Sequence, residues 1–294
     1  MFQDSAGTTP VTAVGQPVGK INDKSGNGNH ATQATAAARP VVSARKNFLT
    51  YTEDLTNGGV SIPPWYRRTD VTVTANQGAG AFADLDLVNN PVSGGAYTGV
   101  YAVSSIAAAN STVTVQLVLA SVSGTTTARI SLSPFNGGAA EVVSTVSLTT
   151  TPTVFTLTGS FGAGAVGNVY FELSQGTANV PILAGRVQIE HGVTATTYQR
   201  VTTASDYDTA GFPHYIANDG IDDELVTTFP DLGTDVTIAR AVPMVGASIL
   251  TGQTIGAGTW TDSTNHAGLV IIDRALTAGE TTALTAYLNE KAGV

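Results

Sequence analysis

The chain has 294 residues and a net charge of −9, and 12% of its residues are charged whereas 42% are hydrophobic. Its 13 basic residues, set against 22 acidic ones with no basic run, exclude nucleic-acid binding, which needs clustered Lys and Arg. The absence of Cys excludes disulfides, thiolate zinc sites and cysteine nucleophiles, and no apolar run reaches the ~18 residues of a membrane helix, so we expect no membrane insertion.

Composition favours strands over helices, and charge divides the chain into three segments. Gly accounts for 32 residues, and Thr, Val, Ala and Ser are abundant, a mixture typical of strands and turns. Residues 1–45 carry a charge of +2, residues 46–204 a charge of −2 and residues 205–294 a charge of −9. We therefore place domain boundaries near Arg45 and Ser205.

Alternation of apolar and polar residues predicts a series of short strands in the middle segment. This alternation turns one side of each strand to a core and the other side to solvent. Gly-rich turns separate the runs, at Asn136, between Gly159 and Gly167, and at Gly192. Many short strands at regular spacing indicate an antiparallel sandwich. The predicted strands are residues 70–75, 112–119, 129–132, 153–157, 169–173 and 186–190.

The last segment combines a few strands with one helix. Thr277 and Glu280 have the spacing of a capping box, which predicts a helix over residues 278–291. Leu284, Tyr287 and Leu288 are predicted to line one face of this helix, since they lie at helical spacing. The two clear strands of the segment are predicted over residues 235–239 and 268–272.

Segments at both ends of the chain resemble one family of jelly rolls. Residues 23–31 (Asp-Lys-Ser-Gly-Asn-Gly-Asn-His-Ala) resemble an early turn of concanavalin/laminin-G-like jelly rolls, which are common in phage and bacterial surface proteins. Residues 218–223 resemble a later strand of this family, and residues 269–280 resemble its last strand and closing helix. Residues 1–10 resemble phage reading frames in which an aromatic, acidic strand usually comes first, so we expect the first lobe to lack that strand.

The middle segment resembles a second family. Residues 47–57 (Asn-Phe-Leu-Thr-Tyr-Thr-Glu-Asp-Leu-Thr-Asn), followed by Trp65, resemble the opening of a carbohydrate-binding-module-like jelly roll frequent in phage tail and virion proteins. Residues 188–198 resemble its closing strand. Together the resemblances imply an all-β fold of two jelly-roll or β-sandwich lobes, one inserted in the other, with a short C-terminal helix. The concanavalin/laminin-G-like lobe comprises residues 1–45 and 205–294, and the inserted jelly roll comprises residues 46–204.

The run Trp65-Tyr-Arg-Arg68 is the best ligand-binding candidate. Sugar rings stack on flat aromatic faces, and Arg donates forked hydrogen bonds to hydroxyls or carboxylates. The alternative interpretation is that Trp65 packs in a core or fills the space between the lobes. The predicted ligand-binding residues are Trp65, Tyr66, Arg67, Arg68, Tyr97 and Tyr101.

Asp219, Asp222 and Asp223 are weak candidates for a calcium site, because calcium binds several carboxylate and carbonyl oxygens. The alternative is turn chemistry, in which Asn, Asp and Gly bond their own backbone. Apart from calcium we expect no cofactor and no other metal, since none of the four His residues forms a paired ligand motif. Candidates to join the three carboxylates are Asp23, Asn27 and Asn29.

Glu172 and Glu190 are the carboxylates that a glycosidase would use, since such an enzyme needs two of them in one cleft. They lie on separate predicted strands. The alternative is that Glu190 accepts backbone amides and fixes a nearby loop. We favour this alternative and expect no catalytic residue.

The resemblances imply a non-enzymatic protein on the exterior of a phage virion: a capsid decoration, a head or tail fibre, or a receptor-binding component that presents a glycan- or host-surface-binding module. No signal peptide opens the chain, so we expect release by lysis or within an assembled particle. The expected partners are other capsid or tail proteins and a host-surface glycan, with a homo-oligomer, preferably a trimer. Two rivals stay open: a capsid-cementing protein without a ligand, and a polysaccharide depolymerase.

Overall fold

We describe the protein from a computed structural model, which covers residues 1–59, 64–68, 70–91, 99–203 and 205–294. The chain divides into two compact units. The first, which we call the split unit, combines Met1–Ala44 with Ala210–Val294, and the second, which we call the inserted unit, is Arg45–Thr209. These divisions lie within a few residues of the boundaries near Arg45 and Ser205 that charge suggests.

Strands account for most of the regular structure, as the composition predicts. Short 3₁₀ turns lie at Ala36–Ala38 and Gly80–Phe82, and the α-helix, α1, is Ala278–Ala292. Among the described residues the strands are β1 (Lys20–Ile21), β2 (Ala31–Thr32), β3 (Val41–Ser43), β4 (Gly58–Gly59), β5 (Trp65–Arg67), β6 (Thr72–Thr74), β7 (Asp86–Asn89), β8 (Val100–Ala107), β9 (Thr112–Ser121), β10 (Thr126–Pro134), β11 (Val142–Leu148), β12 (Thr153–Ser160), β13 (Asn168–Gln175), β14 (Ile182–His191), β15 (Tyr215–Ala217), β16 (Leu225–Phe229), β17 (Gly233–Val242), β18 (Gly246–Ile255), β19 (Gly258–Asp262) and β20 (Gly268–Ile272).

The inserted unit is a sandwich of two sheets. The six-stranded sheet has the order β11-β10-β13-β8-β5-β4, and the five-stranded sheet has the order β12-β9-β14-β7-β6. Neighbouring strands pair antiparallel, except β4 with β5, which are parallel. The predicted sandwich of alternating strands is therefore confirmed.

Side chains from both sheets form one core in the inserted unit. Leu117 of β9 and Phe171 of β13 are wholly buried in this cluster, as is Leu132 of β10. Because alternate residues of these strands point into the cluster, the residues between them face outward. The period-two pattern read from the sequence thus fixes which side chains the sandwich presents.

The predicted strand at residues 70–75 is shorter than expected. Asp70 has a φ of 71°, in the left-handed region, and the Val71 amide donates to the Arg68 carbonyl at 3.1 Å in a turn. Extended pairing begins only after this turn, so β6 spans Thr72–Thr74. The alternation of apolar and polar residues does not reveal this turn, because it contains no information on the backbone conformation of Asp70.

The two ends of the inserted unit lie side by side. The Gln199 side-chain oxygen accepts from the backbone amides of Lys46 and Asn47 at 2.6 and 2.9 Å. Further along, the Thr52 amide donates to the Val201 carbonyl at 3.0 Å. The segments that enter and leave this unit are therefore hydrogen-bonded neighbours.

Asp86, at the start of β7, is a buried carboxyl within the inserted unit. It accepts from the Leu55 amide at 2.7 Å and from the Asn76 amide at 2.9 Å. Burial disfavours the charged form and raises the pKa of Asp86 to about 6, although both amide bonds oppose this effect. The folded protein therefore holds the Asp86 proton more tightly than the unfolded chain does.

This proton gives the protein a pH-dependent stability. The contribution of protonated Asp86 is fully present below the ordinary pKa of 3.8 and is lost as the pH rises through about 6. We expect the free energy of unfolding of the wild type to fall by about 2–3 kcal/mol between these limits, relative to Asp86→Asn, which cannot ionise. Urea unfolding at a series of pH values measures both proteins. Parallel pH profiles for the two proteins would contradict the expected coupling.

The split unit contains three sheets. A four-stranded sheet has the order β1-β2-β16-β19, a two-stranded sheet pairs β15 with β3, and a three-stranded sheet has the order β18-β17-β20. The predicted strand at residues 268–272 coincides with β20, and the one at residues 235–239 lies within β17. The assignment of this unit to the concanavalin/laminin-G-like family stays a prediction.

Helix α1 packs on the three-stranded sheet of the split unit. Thr277 accepts from the Glu280 amide, and Glu280 accepts from the Thr277 amide, so the predicted capping box is confirmed. Leu288 is buried against the sheet with Leu284 beside it. The inclusion of Tyr287 in this face is wrong: its ring is 51% exposed, because positions 284 and 288 together with Ala292 define the packed stripe. Among the described residues no helix has the length and apolarity to span a membrane.

Candidate functional site

The outward face of the six-stranded sheet carries a row of side chains from neighbouring strands. Strand pairing places Tyr66 of β5 opposite Tyr101 of β8. It also places Tyr101 opposite Glu172 of β13, and Glu172 opposite Ser131 of β10. Leu173, the chain neighbour of Glu172, belongs to the core, so the row lies on the other face. Residues far apart in sequence thus meet on one surface.

Among the residues that the structure describes, four aromatic rings cross this face, and we call them the aromatic row. Tyr66 and Tyr101 stack, with ring centroids 4.8 Å apart and planes 10° apart. Tyr170 of β13 lies 5.1 Å from Tyr101, and Phe135, directly after β10, lies 6.2 Å from Tyr170. The row crosses four adjacent strands, a span of about 14 Å at the usual strand spacing.

The two ends of the aromatic row are accessible to solvent, whereas its centre is buried. Tyr66 and Tyr101 are half-buried at one end, and Phe135 is 52% exposed at the other. Tyr170, between them, is buried. A ligand on this face would therefore contact the two ends of the row.

Arg68, Tyr170 and Glu172 form a connected polar network beneath the aromatic row. The Arg68 guanidinium lies 4.2 Å from the Tyr101 centroid, and its Nη2 donates to the Tyr170 hydroxyl at 3.0 Å. That hydroxyl donates to Glu172 Oε2 at 2.7 Å, and the Gly99 amide donates to Glu172 Oε1 at 3.2 Å. Burial, followed by the charge of Glu172, raises the pKa of Tyr170, so the hydroxyl stays neutral and keeps both bonds.

Glu172 does not contact solvent on this face, but it positions other side chains there by accepting hydrogen bonds. It is wholly buried, and besides Tyr170 and Gly99 it accepts from the Ser174 hydroxyl at 3.3 Å. It therefore orients Tyr170 and, through Tyr170, Arg68. A second charge on the face, that of Arg129, is paired with Glu141. The positive charges of the face thus have carboxylates close by.

Alternation in β13 produces this arrangement locally. In the run Val169-Tyr-Phe-Glu-Leu173, the apolar side chains at the first, third and fifth positions are buried in the core. Tyr170 and Glu172 must then share the outward face, two residues apart, within reach of each other. The contacts to Tyr101 and Phe135 depend instead on strand pairing across the sheet.

The interpretation of Trp65 as a ligand-stacking ring is wrong. Trp65 is wholly buried, with an edge-to-face contact to Phe171 at 6.1 Å. Its indole N–H donates to the Tyr51 carbonyl at 2.9 Å, which satisfies its polar atom. Because Trp65 pairs with Ala102, a core residue of β8, it points inward and leaves Tyr66 to face outward.

Arg67 has backbone acceptors of its own, and a ligand role for it stays a prediction. Its Nη2 donates to the carbonyls of Thr56 and Gly58, at 3.2 and 2.6 Å. The side chain is therefore committed to holding the loop before β5. Tyr66, Arg68 and Tyr101 lie on the outward face, where a ligand role stays a prediction, and Tyr97 lies outside the described residues.

Glu172 and Glu190 do not form a catalytic pair. Glu172 is on the outward face of the six-stranded sheet, whereas Glu190 is on β14 of the five-stranded sheet. Ile189 beside it points into the core, so Glu190 faces outward on the opposite side of the sandwich. Glu190 accepts from the Thr196 amide and hydroxyl, both at 2.7 Å, which confirms that it fixes a nearby loop.

The acidic cluster of the split unit is largely a turn. Oxygens of Asp219, Asp222 and Asp223 lie within 4.8 Å of one another. However, Asp219 Oδ1 accepts from the Ile221 amide at 2.8 Å and from the Asp222 and Asp223 amides at 3.3 Å. These bonds lower the pKa of Asp219 and account for its position by turn chemistry. A calcium role for the cluster stays a prediction.

Asp23 is also held by its own loop. Its carboxylate accepts from the Ser25 amide and hydroxyl, both at 2.8 Å, and from the Asn29 amide at 3.0 Å. These bonds stabilise the turn that contains Asn27. No bond between this turn and the acidic cluster is present among the described residues.

Sequence reasoning missed two members of the aromatic row, Tyr170 and Phe135. Tyr170 had a usable signal, because it alternates with Phe171 in a predicted strand and must share a face with Glu172. Phe135 had none: it lies between a strand and a Gly-rich turn, and its neighbour Tyr170 is 35 residues away in the sequence.

Searches by sequence find no related protein, whereas comparison with solved structures finds weak similarities. No family model and no curated protein matches the chain. The CBM22-1 xylan-binding domain of Paenibacillus barcinonensis Xyn10C is 16% identical, with a TM-score of 0.40 over 52% of this chain and 100% of that domain. The CBM22-1–CBM22-2 tandem domain of the same protein is 13% identical, with a TM-score of 0.39 over 79% of this chain and 87% of the other. The enzymatically active domain of bacteriophage CBA120 tailspike protein 4 is 15% identical, with a TM-score of 0.38 over 51% of this chain and 22% of the other.

Proposed function

We propose that the protein binds a glycan, without enzymatic turnover, on the outward face of its six-stranded sheet. The observation that carries the proposal is the aromatic row, with accessible rings at both ends and Arg68 held beside Tyr101. Flat aromatic faces bind the apolar faces of sugar rings, and a guanidinium donates to their hydroxyls.

Preorganisation supports the same proposal. Tyr66 and Tyr101 fix each other by stacking, and the Tyr170–Glu172 pair fixes Arg68. Side chains that are held before the ligand arrives lose little conformational entropy on binding. Since Arg68 and Arg129 both have carboxylates close by, the face does not require an acidic ligand.

Removing one ring tests the site. We expect Tyr101→Ala to weaken glycan binding about tenfold or more, because it removes a stacking surface and the partner of both Tyr66 and Arg68. The assay is affinity electrophoresis and calorimetry of the full chain against a panel of neutral and acidic polysaccharides, with xylan among them.

The matched control is Tyr287→Ala, which removes an exposed tyrosine from α1 of the split unit. We expect it to bind like the wild type. Equal losses in both variants would contradict a site on the six-stranded sheet, and a wild type that binds no member of the panel would overturn the glycan proposal.

We also propose that the protein lies on the exterior of a phage virion, as a decoration, a fibre or a receptor-binding component. The support is the resemblance of its end and middle segments to phage surface proteins, described above. Its partners would be other capsid or tail proteins, in a homo-oligomer with a trimer favoured, which raises weak glycan affinity by multivalency. Light scattering of the purified chain gives the oligomeric state, and cryo-electron microscopy of intact particles shows whether the chain is on their surface.

The two alternative functions, capsid cementing and polysaccharide depolymerisation, predict different experimental results. A capsid-cementing protein without a ligand would lie on the particle and bind no glycan in the panel. A depolymerase would release reducing ends from a capsule polysaccharide, and the placement of Glu172 and Glu190 on opposite faces argues against that pair as its catalytic groups. Reducing-end release by the purified chain would overturn the non-enzymatic proposal.

A further inference from the structure

We propose that Phe135 forms a second contact region of the glycan site, so that the site selects an extended chain over short oligosaccharides. The inference rests on the proposed function and adds the class of ligand that the surface takes. Phe135 is separated from the Tyr66–Tyr101 stack by a buried centre, and it is the exposed member at its end of the aromatic row.

The backbone holds Phe135 firmly. Its amide donates to the Asn168 carbonyl at 2.9 Å, and the next amide, that of Asn136, donates to the Val166 carbonyl at 3.1 Å. The Val166 amide donates back to the Gly137 carbonyl at 2.9 Å. These bonds extend the pairing of β10 with β13 beyond the strands themselves, so the exposed ring is presented on an ordered backbone.

Close packing of two turns reinforces this position. Gly138 has a φ of 83°, and a Cβ placed there would lie 2.0 Å from the Gly164 carbonyl oxygen. The turn that follows Phe135 therefore fits only with glycine at this position. Phe135 is 52% exposed and so contributes little to the core, while the turn that follows it is fixed by close backbone packing.

The geometry gives the site a minimum ligand length. The aromatic row spans about 14 Å at the usual strand spacing, which exceeds one sugar ring. A short oligosaccharide that binds the Tyr66–Tyr101 end cannot also reach Phe135. When one chain contacts both ends of the aromatic row, the second contact becomes intramolecular. The affinity for a long chain then exceeds the affinity that either contact gives alone.

The test is the dependence of affinity on chain length. The polysaccharide of the panel that binds best is cut by partial acid hydrolysis, and fractions from disaccharide to octasaccharide are titrated calorimetrically into the full chain. We expect the wild-type affinity to rise with length and then level off. In Phe135→Ala we expect about a five- to tenfold weaker affinity for the longest fractions and an unchanged affinity for the shortest.

Further variants separate ring loss from misfolding. Phe135→Tyr keeps a flat ring and should restore the length dependence, whereas Phe135→Leu keeps apolar bulk and should not. Val154→Ala, which trims an exposed apolar side chain of β12 on the other sheet, should bind every fraction like the wild type.

Each result has one meaning. A wild type that binds the polysaccharide with no length dependence, or a Phe135→Ala variant with an unchanged length profile, overturns the inference and leaves the glycan site standing. Restoration by Phe135→Leu as well as by Phe135→Tyr supports a second contact region at this position and shows that apolar bulk suffices there without a flat ring. A wild type that binds no polysaccharide overturns the proposed function itself.

Discussion

Trp65→Ala is expected to lower the free energy of unfolding by about 3–5 kcal/mol, the usual range for loss of a buried aromatic side chain. Trp65 fills the core against Phe171 and donates its indole N–H to the Tyr51 carbonyl, so alanine leaves a cavity and removes one of the two hydrogen bonds that this carbonyl accepts, the other coming from the Asp54 amide. Urea unfolding of the full chain, followed by far-ultraviolet circular dichroism, measures the loss.

The neighbouring residue provides the control. Tyr66→Ala removes an outward ring from the same strand, and we expect it to cost less than about 1 kcal/mol in stability while it weakens glycan binding. Trp65→Ala should therefore mainly lower the free energy of unfolding, whereas Tyr66→Ala should mainly weaken glycan binding. A stable Trp65→Ala variant that fails to bind glycan would restore the sequence-based interpretation of Trp65 as a ligand contact.

Glu172→Ala is expected to lower the free energy of unfolding by about 2–4 kcal/mol. The substitution removes the acceptor of the Tyr170 hydroxyl and of the Gly99 amide, both of which would stay buried. It also removes the carboxylate that holds the hydroxyl of Tyr170, to which Arg68 donates, so we expect weaker glycan binding in the variants that remain folded. Urea unfolding and calorimetry of the same preparations measure the two effects.

A double-mutant cycle shows whether Glu172 works through Tyr170. Tyr170→Phe keeps the ring of the aromatic row and removes the hydroxyl that joins Arg68 to Glu172. Because the two substitutions break the same hydrogen bond, the double variant should lose less stability than the sum of the single variants. Strictly additive losses would mean that Glu172 stabilises the sheet independently of Tyr170.

Features that depend on near neighbours in the chain were predictable from the sequence. The capping box of α1 joins residues three positions apart, and the bonds from Thr196 to Glu190 join residues six positions apart. Period-two alternation likewise predicted a strand over residues 169–173, which lies within β13. In each case the residues that determine the structure lie within one element or one turn.

Features that depend on strand pairing were not predictable. In Trp65-Tyr66, alternation says that one ring points inward and the other outward, but it does not say which. The choice is made by the pairing of Trp65 with Ala102, 37 residues away in the chain. The same holds for the meeting of Tyr170 with Tyr101 and Phe135, which requires the order of strands across the sheet.

The hydrogen bonds that join Lys46, Asn47 and Thr52 to Gln199 and Val201 have a consequence for how such a protein can diversify. Since its first and last segments are hydrogen-bonded neighbours, the inserted unit begins and ends at nearly the same point, which is the condition for inserting a folded unit at one loop of another chain. Recombination can therefore exchange this unit as a cassette. The proposed glycan specificity would then change in one genetic step, while the segments on either side keep their own sequence.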